Sequence, residues 1–471
     1  MSSKSPHLSG TRFSSLEITE NSKRAIRQEL KYEFLTDVQE KTFAHIVQGK
    51  DILSKAKTGN GKTMAFLLPA IERIVRHGLN NMPNSIPMLV ISPTRELAQQ
   101  IAVEARKIGQ FHDLHVACFV GGTSVHKDAQ TLKGAKPVDI LVATPGRLLD
   151  HIDQDSGHIR KLLRKLQFLV LDEADRLLDM GFRNEVVKIL NSVPAQRQTL
   201  LFSATLPKST QELTKLALRK DFELIDTVSD GEEQTNVQVQ QEYVVCRATE
   251  VVATVENVLA AHIAQFPSNY KVIVFFPTAR AAQFMAQLFS AAGFKGVLEI
   301  HSRKSQVART KTAAKFRESS RVMLFSSDVS ARGVDYPDVT LVLQVGLTDR
   351  DSYIHRLGRT ARGGSQGRGV LVLADFEKTF LNDLKGLPLG KYAKNEAVVE
   401  SRTAKTMATL AQNPELAKSA MQSYQAWLGF YHSNLRRLGI NKEELVQMAE
   451  VYSQTIGLQE GEQRHPTKIL S

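Results

Sequence analysis

Short apolar runs recur along the chain, each followed by a polar or glycine-bearing turn and then a stretch of helical period. In the first half these runs are Asp51–Ser54, Met88–Ile91, Val116–Val120, Asp139–Ala143, Phe168–Leu171 and Gln198–Phe202. Runs that are apolar at successive positions suit strands buried on both faces of a parallel sheet. Helical stretches cover Glu40–Val47, Met64–Val75, the residues after Pro93 to about Ile108, and Phe182–Leu190. The alternation predicts an α/β, doubly wound parallel-sheet domain. It restarts after the polar stretch 228–236, with strands at Val272–Phe276, Val297–Ile300 and Val322–Phe325 and a helix over Ala279–Ala291. Two such domains are therefore predicted, over residues 13–227 and 237–378, joined by a linker at 228–236. Residues 1–12 are expected to be a flexible tail. Residues 379–471 are expected to be a mostly helical extension. Within it Lys418–Leu438 reads as one helix carrying a stripe of Tyr424, Trp427, Leu428, Tyr431, Leu435 and Leu438, and Asn441 with Glu444 as a capping box for the next. The stripe is read as packing against the body of the protein.

The chemistry sits in the loops. Asp51–Ser54 feeds Ala56-Lys57-Thr58-Gly59-Asn60-Gly61-Lys62-Thr63, and a helix follows. Strand, glycine-bearing loop and helix in that order make a phosphate loop, here with Ala at its first glycine position. Backbone N–H groups at the helix N-terminus favour anionic oxygens. Lys62 can reach the β- and γ-phosphates, and the Thr63 hydroxyl can ligate Mg²⁺. Phe168–Leu171 runs into Asp172-Glu173-Ala174-Asp175. Carboxylates at the C-terminal end of a buried strand lie where open α/β sheets bind ligands. An acidic loop alone is commonly just solvated. Paired with the phosphate loop it supplies a Mg²⁺ anchor and a base for water, which nucleotide hydrolysis needs. Three other strands end in Pro93-Thr94-Arg95, Gly121-Gly122-Thr123 and Thr144-Pro145-Gly146-Arg147. Each alone reads as a helix cap or tight turn. Their recurrence at one sheet edge favours a groove that tracks a phosphate backbone. Arg356, Arg359 and Arg362 are expected on one helical face that meets anions.

Composition narrows the class. The chain has 471 residues, enough for two to three domains, and 42% hydrophobic with 23% charged residues describes a globular protein rather than a disordered one. A net charge of +12 is either a solvated basic surface or the footprint of a polyanionic partner, and the loops favour the second. Two cysteines, Cys118 and Cys246, exclude a disulfide framework and a cysteine metal site, and both read as buried thiols. No apolar run approaches membrane-spanning length. The serine-rich first twelve residues lack a signal-peptide core and are too short for a transit peptide.

Taken together and in order, these motifs resemble those of the DEAD-box RNA helicases. Ala56–Thr63, Pro93–Ala98, Gly121-Gly122, Thr144–Arg147, Asp172–Asp175, Ser203–Thr205, Ser327–Asp335 and His355–Arg362 carry the resemblance, over about residues 13–378. His301–Gln306, Ser327–Gly333 and Tyr424–Tyr431 are similar to the subgroup of fungal mitochondrial splicing helicases and related plant enzymes. That subgroup carries a helical extension after the second domain, and a mitochondrial location is suggested by it alone, with cytoplasm and nucleus also open. The resemblance implies two RecA-like domains, ATP and Mg²⁺ as cofactors, single-stranded RNA or a short duplex as partner, no membrane, and a monomer. It implies that Tyr32 stacks on adenine and Gln39 reads its edge, although Lys31 stands where the family has Gly, Tyr32 where it has Phe and Leu35 where it has Pro.

The same resemblance implies the remaining roles. Lys62 holds phosphates, Thr63 and Asp172 bind Mg²⁺, and Glu173 positions water. Arg359 and Arg362 act as fingers and His355 meets the γ-phosphate region. Gly333 and Asp335 reach the nucleotide, Asp335 at the ribose. Pro93, Thr94, Arg95, Gly122, Thr144, Gly146 and Arg147, with Arg303 and Ser327, contact RNA phosphates and 2′-hydroxyls with little sequence preference. Asp175, Ser203 and Thr205 couple the domains. A DNA-directed ATPase and a non-enzymatic RNA clamp are the competing readings. The Asp-Glu-Ala-Asp and Ser-Ala-Thr pair argues against the first, and the filled catalytic positions argue against the second.

Overall fold

The computed structural model describes residues 8–56, 59–228, 239–328, 336–361, 367–393 and 401–458. The chain divides into two units, Met1–Glu232 and Glu233–Ser471. The first opens with β1 (Leu8–Arg12) paired antiparallel to β2 (Phe34–Thr36). Its main sheet holds β3 (Ile52–Lys55), β4 (Met88–Ile91), β5 (Val116–Phe119), β6 (Ile140–Ala143), β7 (Phe168–Leu171), β8 (Gln198–Ser203) and β9 (Glu223–Asp226). The order is β5-β6-β4-β7-β8-β3-β9, with every pair parallel.

Alternate residues of one strand feed two separate cores, which explains the continuous apolar runs. Phe168 and Val170 join a core with Phe66, Ile71 and Ile101 from the helices Lys62–Arg76 and Arg95–Gly109. Leu169 and Leu171 face the other way, onto Leu148, Ile152 and Ile189.

The second unit repeats the plan with β10 (Val239–Cys246), β11 (Lys271–Phe275), β12 (Val297–Ile300), β13 (Val322–Ser326), β14 (Leu341–Val345), β15 (Gly367–Ala374) and β16 (Leu389–Lys391). The order is β12-β13-β11-β14-β15-β10-β16, again parallel throughout. Helices Arg402–Ala408, Pro414–His432, Leu435–Leu438 and Lys442–Thr455 follow. Tyr424, Leu428 and Tyr431 are buried in the same core as Phe284, Leu288 and Val345 of the sheet domain, so the stripe is a packing face. Trp427 stacks on Tyr452 with ring centroids 4.7 Å apart and meets Phe376 at 6.2 Å. Among the described residues no helix is long and apolar enough to cross a membrane.

Several expectations are corrected. Leu8–Arg12 is a strand rather than tail, held by β2 and by the ion pair Arg12–Glu33 at 2.7 Å. The second sheet runs beyond residue 378, because β16 pairs with β10. The stripe helix starts at Pro414 with an Asn413 cap, and it breaks at Ser433 before the short turn Leu435–Leu438. The capping box forms as expected, Asn441 N–H donating to Glu444 Oε2 and Glu444 N–H to Asn441 Oδ1, both at 2.8 Å. Cys246 is buried, but Cys118 on the edge strand β5 is only half-buried. The expected linker lies almost wholly outside the described residues.

Candidate functional site

In the first unit every motif loop leaves the C-terminal edge of the parallel sheet. The sheet order sorts them into two neighbouring halves. Loops after β3, β7 and β8 hold the phosphate loop, the acidic run and Ser203, while loops after β5, β6 and β4 hold Gly122, Thr144 and Thr94.

The phosphate half is built on Gly61, which caps the helix Lys62–Arg76 in the left-handed region at φ +76°. Thr36 and Gln39 clamp it. Thr36 Oγ1 donates to Asn60 O at 2.7 Å, and Gln39 Nε2 donates to Gly61 O at 3.0 Å while its Oε1 accepts from Thr36 N–H at 3.0 Å. At that φ any other residue is strained, and a Cβ on Gly61 would lie 2.3 Å from Gln39 Nε2 and displace the clamp. Lys62 is buried, and its Nζ has no hydrogen-bond partner among the described residues. A buried ammonium without a partner is costly unless an anion meets it. Thr63 is half-buried beside it. Lys57 and Thr58 lie outside the described residues.

Across the edge, Asp172 and Glu173 are both buried. Burial pushes the Asp172 carboxyl up to about 7, with the Lys62 ammonium opposing the shift and the Glu173 carboxylate adding to it. Glu173 sits at φ +48°, a strained position for a residue with a side chain, and its buried Oε2 has no partner among the described residues. A buried ammonium, a hydroxyl and two buried carboxylates fit a phosphate chain with a hard divalent cation. Asp175 faces β8. Its N–H donates to Ser203 Oγ at 3.2 Å, and its Oδ2 accepts from Thr205 N–H at 3.2 Å and Thr205 Oγ1 at 3.0 Å. Ser203 Oγ in turn donates to Thr205 O at 2.7 Å. Tyr32 is 47% exposed and stacks near Phe13 at 6.3 Å. Lys31 before it adopts φ +57°, the left-handed conformation that glycine takes without strain.

In the other half, Thr94 caps the helix Arg95–Gly109, and Pro93 is buried beneath it. The Arg95 guanidinium lies against Gly121, where an added Cβ would be 2.9 Å from it. Gly122 and Gly146 are exposed, and no atom lies within 4 Å of a Cβ built on Gly146. Thr144 is buried. Arg147 turns inward. Its Nη1 pairs with Asp128 Oδ2 at 3.0 Å and its Nη2 donates to Thr123 O at 2.9 Å, with both charged side chains largely buried. Its guanidinium therefore holds the Gly121–Thr123 loop.

In the second unit Arg303 is exposed after β12, and Ser327 is buried after β13. The helix Arg350–Leu357 ends before Arg359, which corrects the expected single arginine face. Arg356 is 1% exposed, its Nε and Nη2 both 2.8 Å from Asp328 Oδ1, and it stacks over Phe275. It ties the helix to the loop after β13 through Asp328. His355 and Arg359 are buried beside it, with Arg359 Nε donating to His355 O at 3.3 Å. Gly333, Asp335 and Arg362 lie outside the described residues.

Two family models match, DEAD/DEAH box helicase over residues 36–213 and helicase conserved C-terminal domain over residues 251–364. DEAD-box ATP-dependent RNA helicases 25 and 26 of Oryza sativa subsp. japonica are 46% and 47% identical, each over 96% of this chain and over 75% and 82% of their own lengths. The chain is a DEAD-box ATP-dependent RNA helicase. Among solved structures, Mss116p bound to single-stranded RNA and AMP-PNP superposes with a TM-score of 0.83 at 28% identity, covering 95% of this chain and 92% of that one. The match spans the C-terminal helices as well as both α/β units of the helicase.

Sequence reasoning missed three side chains of the helicase that the structure brings to these loops. Thr36 and Asp128 clamp the phosphate loop and the Gly122 loop, and Asp328 pairs with Arg356. The capping-box spacing of Thr36 and Gln39 was available as a signal. The pairings of Asp128 and Asp328 join residues far apart in sequence and carried none.

Proposed function

We propose that the protein hydrolyses ATP to unwind or remodel RNA, with little sequence preference. The observation that carries this reading is the sheet order of the first unit. It sets a phosphate and metal half, after β3, β7 and β8, beside a backbone-tracking half, after β5, β6 and β4. Lys62 and the loop N–H groups hold the phosphates, the buried ammonium having no hydrogen-bond partner of its own among the described residues. Thr63 and Asp172 would hold Mg²⁺, which when bound offsets phosphate charge. Glu173, with a buried oxygen that has no partner among the described residues, positions and deprotonates the attacking water. Tyr32 offers an exposed ring for the purine, and Gln39 ties the base-reading segment to the phosphate loop. Arg359 and Arg362 are assigned to the γ-phosphate, a contribution of roughly 10³–10⁵ in rate for such groups.

The RNA contacts are assigned to Thr94, Arg95, Gly122, Thr144 and Gly146, with Arg303 and Ser327 in the second unit. Arg147 acts through the loop it holds. The Asp175–Ser203–Thr205 network links the acidic loop to β8, so a shift in one moves the other. The test is ATP turnover measured alone, with single-stranded RNA, and with DNA of the same sequence. RNA alone is expected to stimulate. Equal stimulation by DNA, or no turnover with RNA, contradicts the reading.

A further inference from the structure

The loop Gly346-Leu347-Thr348 follows β14 and launches the helix Arg350–Leu357 through its cap, Asp349, whose carboxylate accepts from Ser352 N–H at 2.7 Å. That helix carries His355 and leads to Arg359. The loop is held from the C-terminal helices at two points. At the first, buried Glu377 accepts from Leu347 N–H at 2.6 Å and from the Tyr431 hydroxyl on the same Oε1, and from Ala374 N–H at 2.9 Å on Oε2. Gly346, at φ +78°, passes so close that a Cβ there would lie 3.2 Å from Glu377 Oε1 and 3.3 Å from the Tyr431 hydroxyl. At the second, Arg437 Nη2 donates to Thr348 O and pairs with Asp383 Oδ2 at 2.7 Å, its guanidinium lying over Phe380. Asp383 also offers its backbone carbonyl to Arg350 Nη1 at 2.6 Å, on the first turn of the helix itself.

We infer that Tyr431 and Arg437 of the C-terminal extension are positioning residues for hydrolysis, setting the helix that carries His355 and presents Arg359 through the Gly346–Thr348 loop. The two grips hold the backbone of successive residues, Leu347 N–H and Thr348 O, so the loop cannot shift without breaking one. The extension elsewhere is docked by means that leave this loop alone. Glu256 takes the N-terminus of helix Arg402–Ala408, and the Arg402 guanidinium lies 3.7 Å over the Phe294 ring. Docking and positioning are therefore separable by mutation. Arg437 is one-third exposed and joined to exposed Asp383, so its loss leaves no buried charge behind. The inference rests on Arg359 acting at the γ-phosphate.

The experiment compares the full chain with Arg437→Ala, Arg437→Lys, Tyr431→Phe and Arg402→Ala at a temperature where all are folded. Small misplacements of a catalytic group cost up to about a hundredfold in rate, so Arg437→Ala and Tyr431→Phe should each lower the RNA-stimulated kcat about tenfold, with KM for ATP changed less than about twofold. Arg437→Lys should recover part of the loss, and Arg402→Ala should lower Tm with kcat unchanged. A kcat within about twofold of the parent in both Arg437→Ala and Tyr431→Phe overturns the inference. So does a kcat loss in Arg402→Ala equal to theirs, which would make all three merely structural. If Tyr431→Phe does not fold, Arg437→Ala decides alone. A parent without RNA-stimulated turnover overturns the proposed function instead.

Discussion

Replacing Glu256 by Ala should unlatch the first helix of the C-terminal extension. The Glu256 carboxylate is 5% exposed and accepts four hydrogen bonds from that helix start: Ser401 Oγ at 2.6 Å, Arg402 N–H at 2.9 Å, Thr403 N–H at 3.1 Å and Thr403 Oγ1 at 2.6 Å. The two hydroxyls can rotate toward other acceptors, and they already lie 3.0 Å from each other. The two backbone N–H groups cannot. An orphaned buried donor costs about 1–3 kcal/mol, so two give about 4 kcal/mol at the middle of the range. For a unit of this size that lowers Tm by roughly 8–16 °C. The assay is thermal unfolding of the full chain followed at the transition of the second unit. The same experiment has a pH axis. Burial alone would raise the Glu256 pKa, but the four donors outweigh it and hold the carboxyl below its ordinary value. A depressed folded pKa contributes stability above the unfolded value, near about 4.3, and that stability is lost as pH falls through the folded value. The Tm gap between parent and variant should therefore be full at neutral pH and close in acid. A gap under about 2 °C at neutral pH would refute the reasoning, as would a gap that widens on acidification.

Gly61→Ala should weaken binding of a fluorescent ATP analogue by about tenfold or more, because a left-handed alanine costs about 1–2 kcal/mol and its Cβ would collide with the Gln39 clamp. Unchanged affinity would show that the clamp does not set the loop. Asp128→Ala should strand the Arg147 guanidinium and destabilise the first unit by about 3 kcal/mol, seen in chemical denaturation. It should also weaken RNA binding in an anisotropy titration while leaving RNA-free ATP binding intact.

Much of this was written in local pattern. Phe168–Leu171 is apolar at every position because alternate residues feed two cores, and the polar loop after it had to emerge at the sheet edge. The stripe Tyr424, Leu428 and Tyr431 predicted a buried face and found one. What escaped was set by distance in sequence. Leu8–Arg12 has no strand pattern of its own and is a strand because Phe34–Thr36 pairs with it. Leu389-Gly390-Lys391 likewise is recruited by β10. Strands Leu341–Val345 and Gly367–Ala374 are largely apolar runs that lie between the motifs and carry no loop chemistry to mark them. Arg356 looked like one of three arginines on an anion-binding face, but Asp328, which neutralises it, lies 28 residues upstream. Burial of Arg147 was equally invisible, since Asp128 approaches it from the helix Val125–Leu132.

In the proposed function the buried carboxylate of Glu173 activates water for the ATP hydrolysis that drives RNA strand separation. The direct measurement is turnover, nucleotide binding and displacement of a short RNA duplex for the parent and Glu173→Gln side by side. The parent should turn over ATP with RNA and separate the duplex. The variant should bind nucleotide as tightly and lose both activities, by at least about a hundredfold in turnover for a removed general base. Near-normal turnover in Glu173→Gln would contradict this role of Glu173.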